Sequence, residues 1–182
     1  PPPLPPQQVI SNYGVGVDHI DLAAARRRGI DVANTPNILS DATADMAFAL
    51  LLACARHLAQ CDRFARSAAF THYQNMLFCG EAVAGATLGI VGMGRIGTAV
   101  AQRARAFGLN IHYYSRNRRP PAIEHPLEAR YWDDLDAMLA QPMDQIALNG
   151  PLVAQVQDIL TQLPLAQRVY TGIVNASAAT QL

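Results

Sequence analysis

Charge is scarce in this chain, and neither sign prevails. Over 182 residues, Asp, Glu, Lys and Arg make up only 15%, and fourteen basic side chains balance fourteen acidic ones. No global field therefore recruits nucleic acid or an anionic membrane. Cysteine is sparse too: Cys54, Cys61 and Cys79 are odd in number and lack CxxC or metal-ligand spacing. That argues against a disulfide scaffold and a zinc site, and suits reduced thiols in a cytoplasmic protein. Long hydrophobic runs are missing as well. The longest, residues 46–55, falls well short of the ~20 residues needed to cross a bilayer, and reads as a buried helix. No succession of charged, apolar and small residues marks a signal peptide. What the chain does have is apolar residues, 51% of the total, enough for a real core in one domain or a little more.

One stretch carries recognisable chemistry. Leu88-Gly89-Ile90-Val91-Gly92-Met93-Gly94-Arg95-Ile96-Gly97 reads as a short apolar strand turning through glycines into a helix. In a dinucleotide-binding turn, Gly92 permits the bend and Gly94 lets the backbone approach a pyrophosphate. Gly97 lets the helix pack closely on the strand. The helix N–H groups and positive dipole end then face the diphosphate. A lone GxGxxG is weak, because glycine-rich turns are common. Here a helix over 98–107, closed by Gly108, and a second strand over 109–115 follow it. That context predicts a βαβ unit.

The end of the second strand distinguishes dinucleotides. The fingerprint expects an acidic residue about 20 positions on, for the ribose hydroxyls. Here Ile111-His112-Tyr113-Tyr114 ends in Ser115, followed by Arg116-Asn117-Arg118-Arg119. A carboxylate would repel a 2′-phosphate, whereas a hydroxyl, an amide and guanidinium groups would bind and neutralise it. The run favours NADP(H) over NAD(H). The plainer reading is a solvated basic loop.

Elsewhere, Pro1-Pro2-Pro3-Leu4-Pro5-Pro6 cannot be helical and reads as polyproline II. A strand over 9–12 leads into Tyr13-Gly14-Val15-Gly16-Val17. Asp18 and Asp21 can cap a helix through Arg28, stopped by Gly29. A strand over 30–33 ends at Asn34-Thr35-Pro36-Asn37. Ser40 or Asp41 then caps one long helix over 42–69, apolar nearly all round in its first half. Such a helix must be covered on every side, which suggests an interdomain or dimer helix. Residues 71–86 read as irregular connection. Pro120 and Pro121 open a loop, 129–132 is a short strand, and Asp133 caps a helix over 134–139. A strand over 145–149, a Gly150-Pro151 turn, a helix over 153–163 and a strand over 168–175 complete the chain. Alternation from Thr87 onward predicts an α/β, doubly wound parallel (Rossmann) sheet.

Several motifs occur in order: Asn12-Tyr13-Gly14-Val15-Gly16-Val17-Asp18-His19-Ile20-Asp21, Ala33-Asn34-Thr35-Pro36 and Ser40-Asp41-Ala42-Thr43-Ala44-Asp45. The glycine turn and Asn149-Gly150-Pro151-Leu152 follow. Over 9–175 this series resembles the D-isomer-specific 2-hydroxyacid dehydrogenases. The basic strand end is similar to their NADPH-dependent glyoxylate/hydroxypyruvate and 2-ketoaldonate reductase branch. The resemblance implies two α/β domains with substrate and nicotinamide in the cleft. Residues 1–41 would be the C-terminal remnant of a flavodoxin-like substrate domain, 42–70 the interdomain or dimer helix, and 71–182 an NADP-binding Rossmann domain incomplete at its C-terminal end. The parent activity would be NADPH-dependent reduction of a small 2-oxoacid to the D-2-hydroxyacid, in a cytoplasmic homodimer.

Residue by residue, the resemblance gives Val15 and Gly16 backbone N–H groups to the substrate carboxylate, a task that turn amides suit. Gly14 and Gly16 read equally as plain turn glycines. Thr43 would lie on the nicotinamide side of the cleft, or simply cap its helix. Arg95 and Ile96 would contact the pyrophosphate, and Ser115, Arg116 and Asn117 the adenosine ribose and its phosphate. Asn149, Gly150 and Pro151 would line the adenine and ribose crevice. Asn175 and Ala176 would lie near the nicotinamide ribose.

The pattern breaks at the catalytic groups. The family uses an arginine on carboxylate and keto oxygen, a histidine as proton donor and a carboxylate that tunes it. The arginine belongs just after Gly172-Ile173-Val174-Asn175-Ala176, and Ala178 stands there. Alanine can neither hold a carboxylate nor polarise a ketone. The glutamate and histidine would fall beyond Leu182. Pro151-Leu152-Val153-Ala154 also departs from the usual threonine and proline. His19, His57, His72, His112 and His125 read as structural or surface residues, with no Ser/His/Asp set and no metal spacing. Two readings remain open: a reductase, or an inactive NAD(P)-binding sensor or interaction module of the same fold. These residues alone are expected to bind nucleotide without turnover.

Overall fold

Apolar strands alternating with short helices set the architecture. The computed structural model describes residues 9–36, 38–73, 76–149 and 170–173. They fall into two units, one reaching to Ser40 and one starting at Asp41. In the first, β1 (Val9–Ser11) and β2 (Asp31–Ala33) pair in parallel, with Ile10 opposite Val32. A parallel pair needs a crossover, supplied by α1 (Leu22–Arg27). Asp21 caps it, accepting the Ala24 N–H at 2.8 Å.

The second unit takes all of α2 (Ser40–Ala55) but its first residue, followed by α3 (Leu58–Ala65). Its sheet contains β3 (Thr87–Val91), β4 (Asn110–Tyr114), β5 (Arg130–Trp132), β6 (Gln145–Asn149) and β7 (Tyr170–Ile173). All pairings are parallel, in the order β5-β4-β3-β6-β7. Between the strands run α4 (Arg95–Ala106), α5 (Pro121–Leu127) and α6 (Leu135–Leu139). The strand holding Ile90 is central and lies beside that of Tyr113, as expected, with the two residues opposite each other.

β3 is apolar because both of its faces are covered. Leu88 and Ile90 join a core cluster with Phe48 and Leu51 of α2 and Val100, Ala101 and Ala104 of α4. Val91 points the other way, into Met138, Leu139, Met143 and Ile146. Successive strand residues thus feed two hydrophobic layers, which makes the sheet doubly wound.

Several expectations need correction. The single helix over 42–69 is two helices bent by 64°, with His57 at φ 52° between them. The cause lies far along the chain. Glu81 donates its N–H to the Ala55 carbonyl at 2.8 Å, and Gly80 sits so close that a Cβ there would lie 2.3 Å from that oxygen. The carbonyl that a continuing helix would offer to Ala59 is already taken. Among the described residues one face of α2 is covered: Ala44, Ala47, Phe48 and Leu51 are buried, while Met46 (60%) and Leu50 (42%) are exposed. The expected loop at Pro120-Pro121 is the start of α5, because proline at a first helical position has a preset φ and no N–H to orphan. Asp134, not Asp133, caps α6, accepting the Asp136 N–H at 2.9 Å.

α4 starts at Arg95 rather than at 98, so the glycine turn runs directly into the helix. The expected Gly150-Pro151 turn and helix over 153–163 lie outside the described residues. Among the described residues no single helix is long and apolar enough to cross a membrane.

Candidate functional site

The carboxyl ends of β3, β4 and β6 meet at one edge of the sheet, with Val91 opposite Tyr114 on one side and Leu148 on the other. The glycine turn leaves from the middle of this edge. Gly92 has φ +97°, open to glycine but strained for other residues, and its N–H donates to the Tyr114 carbonyl at 2.9 Å. Gly97 lies where a Cβ would be 2.1 Å from the Gly92 carbonyl oxygen. Any side chain there would push helix and turn apart. Gly94 differs: a Cβ added there meets nothing within 4 Å.

The chain therefore needs Gly92 for its backbone conformation and Gly97 for packing, whereas Gly94 faces open space. Met93, buried between them, pins the turn to the core. The first helical bond runs from the Thr98 N–H to the Gly94 carbonyl, 2.9 Å. The N–H groups of Ile96 and Gly97 precede it at the positive end of α4. An open cradle facing that helix end fits a diphosphate.

Thr43 is half-buried in the first turn of α2. That turn is tied to α4 by Arg103, which donates from Nε to Asp45 Oδ1 at 2.7 Å and from Nη2 to the Asp41 carbonyl at 3.3 Å.

The turn after β4 is built from side chains. Ser115 Oγ donates to the Asn117 carbonyl at 2.6 Å, and Arg116 and Asn117 are exposed. The arginine run does not act as one block. Arg118, itself exposed, pairs with the buried Glu124 of α5, donating from Nε at 3.0 and 3.1 Å and from Nη2 at 2.9 Å. The Tyr113 hydroxyl donates to the same carboxylate. Arg118, then Tyr113, hold the Glu124 carboxyl below its ordinary pKa. Burial first, and the Glu124 bond second, push Tyr113 up to about 12. Arg116 is exposed with no ion pair among the described residues, whereas Arg118 is committed to Glu124.

In the first unit the loop of Val15 and Gly16 is ordered by amides. Asn12 Nδ2 donates to the Gly14 and Gly16 carbonyls at 3.1 and 2.8 Å, Asn34 Nδ2 donates to the Val15 carbonyl at 2.9 Å, and Thr35 N–H donates to the Gly14 carbonyl at 3.1 Å. With the carbonyls held, the Val15 and Gly16 N–H groups have no acceptor among the described residues. A loop of this kind presents donors to an anion.

The backbone of Asn149 ends β6 beside the glycine turn; Pro151, Asn175, Ala176 and Ala178 lie outside the described residues. Asn12, Asn34, Tyr113 and Glu124 were not singled out from sequence for these roles. His112 lies within β4, with burial and then Arg130 lowering its pKa. Among the described residues no group of His, Cys, Asp and Glu is placed to hold a metal ion.

Known proteins are similar to this chain in sequence and fold. The family model for the NAD binding domain of D-isomer specific 2-hydroxyacid dehydrogenases matches residues 48–179. The glyoxylate reductase of Thermococcus litoralis is 44% identical over 165 residues, covering 88% of this chain and 49% of its own length. That of Thermococcus kodakarensis is 44% identical over 174 residues, covering 93% and 51%. The crystal structure of a glyoxylate reductase from Paecilomyes thermophila superposes with a TM-score of 0.69 at 37% identity, covering 86% of this chain and 47% of that one. The chain thus spans about half the length of the curated relatives it matches.

Proposed function

The chain belongs to the D-isomer specific 2-hydroxyacid dehydrogenase family, and on that premise we propose that it is the nucleotide-binding part of an NADPH-dependent reductase. Its substrate is a small 2-oxoacid of the glyoxylate or hydroxypyruvate type, reduced to the D-2-hydroxyacid. The bound cofactor supplies hydride. Gly92, Gly94, Arg95, Ile96 and Gly97 hold the diphosphate, with Thr43, Asn149, Pro151, Asn175 and Ala176 along the rest of the dinucleotide. Ser115, Arg116 and Asn117 take the 2′-phosphate of the adenosine ribose, and Val15 and Gly16 hold the substrate carboxylate through their N–H groups.

The observation that carries the cofactor choice is the turn after β4. Ser115, Arg116 and Asn117 stand where an NAD-selective turn would place a carboxylate, and Arg116 has no ion pair shown to neutralise it. The exposed Met46 and Leu50 on α2 give a homodimer an apolar face to cover. Cys54 and Cys61 as thiols suit a cytoplasmic setting.

A second reading has its own observation. Ala178 stands at the family's arginine position, so these residues cannot polarise a carbonyl at that point. This favours a nucleotide-binding sensor or interaction module. NADPH oxidation with glyoxylate and with hydroxypyruvate tests both, on this chain and on a form extended at both ends. The reductase reading expects nucleotide binding without turnover by the chain and turnover by the extended form. An extended form that binds NADPH yet stays inert selects the module.

A further inference from the structure

Glu124 is 3% exposed on α5, beneath the turn that follows β4. Burying a carboxylate is costly unless charge and hydrogen-bond partners surround it. Here the partners come down from the turn itself. Arg118 binds both carboxylate oxygens, and Tyr113 donates its hydroxyl proton to Oε1. The same Tyr113 oxygen accepts the Arg119 N–H at 2.9 Å. Residues 118 and 119 are therefore fastened to one carboxylate, the first directly and the second through a phenol. The near end of the turn is fastened separately, by the Gly92 N–H on the Tyr114 carbonyl and by the Ser115–Asn117 bond. Between these anchors stand Arg116 and Asn117, both exposed.

We propose that Glu124 is a positioning residue for the 2′-phosphate of NADP(H), acting through Arg118 and Tyr113 to hold the turn that presents Ser115, Arg116 and Asn117. The inference rests on the NADP(H) reading above. Two physical effects of Glu124 oppose each other. Its charge opposes that of a nearby phosphate, but Arg118 neutralises it at hydrogen-bond distance. Its bonds, in contrast, fix the backbone on which the phosphate ligands stand. Removing the charge frees one guanidinium and loosens one turn, so the sign of the effect on NADPH separates field from position.

The experiment uses Glu124→Gln, which keeps shape and removes charge, with the chain titrated against NADPH and NADH and its thermal unfolding followed in parallel. Positioning predicts that the preference for NADPH over NADH falls about tenfold while NADH affinity holds. Tyr113→Phe, which cuts the link to Arg119, shifts the ratio the same way by less, and Glu124→Asp recovers part of it. An unchanged ratio in folded Glu124→Gln overturns the proposal. So does a ratio that rises because the freed Arg118 captures phosphate, or an equal loss of both cofactors. Should Glu124→Gln fail to fold, Tyr113→Phe decides, and an unchanged ratio there overturns it. A wild-type chain without any preference for NADPH overturns the cofactor reading itself, and the wild-type ratio tells that failure apart from this one.

Discussion

The turns after β3 and β4 lie side by side at one edge of the sheet, joined by the Gly92 N–H on the Tyr114 carbonyl. The first takes its form from missing side chains: φ +97° at Gly92 would strain any other residue, and Gly97 lies against the Gly92 oxygen with no room for a Cβ. The second takes its form from side chains that bond to one another, with Glu124 gathering Arg118 and Tyr113 beneath it. A backbone-built turn suits what all dinucleotides share, the diphosphate. A turn built from side chains can be altered one residue at a time, so it suits the feature in which NAD and NADP differ.

The comparison breaks first at Gly97. Gly97→Ala drives a Cβ into backbone, and overpacking of this kind costs on the order of 1–3 kcal/mol. Thermal unfolding should show that loss, and titration should show NADPH and NADH weakened together. Gly94→Ala sharpens the point, because its Cβ enters open space. Its unfolding should match wild type while both cofactors bind more weakly. Retained binding in Gly94→Ala would mean that the cradle is not used.

Next in size is Arg116→Ala. A charge-assisted hydrogen bond contributes about 1.5–3 kcal/mol, so NADPH affinity should fall about tenfold or more. NADH affinity should hardly move. Equal losses would make Arg116 structural and erase the difference between the two turns.

How much of this is legible in sequence depends on range. β3 reads correctly because a strand covered on both faces is a continuous apolar run, and β4 because its buried Ile111 and Tyr113 alternate with less buried residues between turn signals. The turn at Gly92 and the close packing at Gly97 read correctly because each is a local steric demand. The break at His57 does not read, since it depends on Gly80 and Glu81 meeting Ala55 across an irregular segment. α5 was hidden by Pro120-Pro121, which signals either a loop or a helix start. Glu124 looks like one more surface charge until Tyr113 and Arg118 are brought onto it. The Asn12 and Asn34 side chains are likewise visible as motif letters, while the carbonyls they hold are set by the fold.

The smallest effects concern pH. Because Glu124 sits below its ordinary pKa, its ionised form stabilises the fold above the usual carboxylate range, and that contribution is lost as pH falls through the lowered value. Tyr113 is raised from 10.0 to about 12, so the neutral phenol's contribution is intact below 10.0 and lost as pH climbs towards about 12. Glu124→Gln should flatten the acid limb of a stability–pH profile and Tyr113→Phe the alkaline limb. Unaltered limbs in both variants would show that the two groups do not act as one network.

The central claim is that the turn after β4 reads the 2′-phosphate. Isothermal titration with 2′,5′-ADP and with 5′-AMP isolates that contact from the diphosphate and the nicotinamide. The account predicts that 2′,5′-ADP binds the wild-type chain at least about tenfold tighter, and that Arg116→Ala removes most of the difference. Equal affinity of the wild-type chain for the two nucleotides would contradict it.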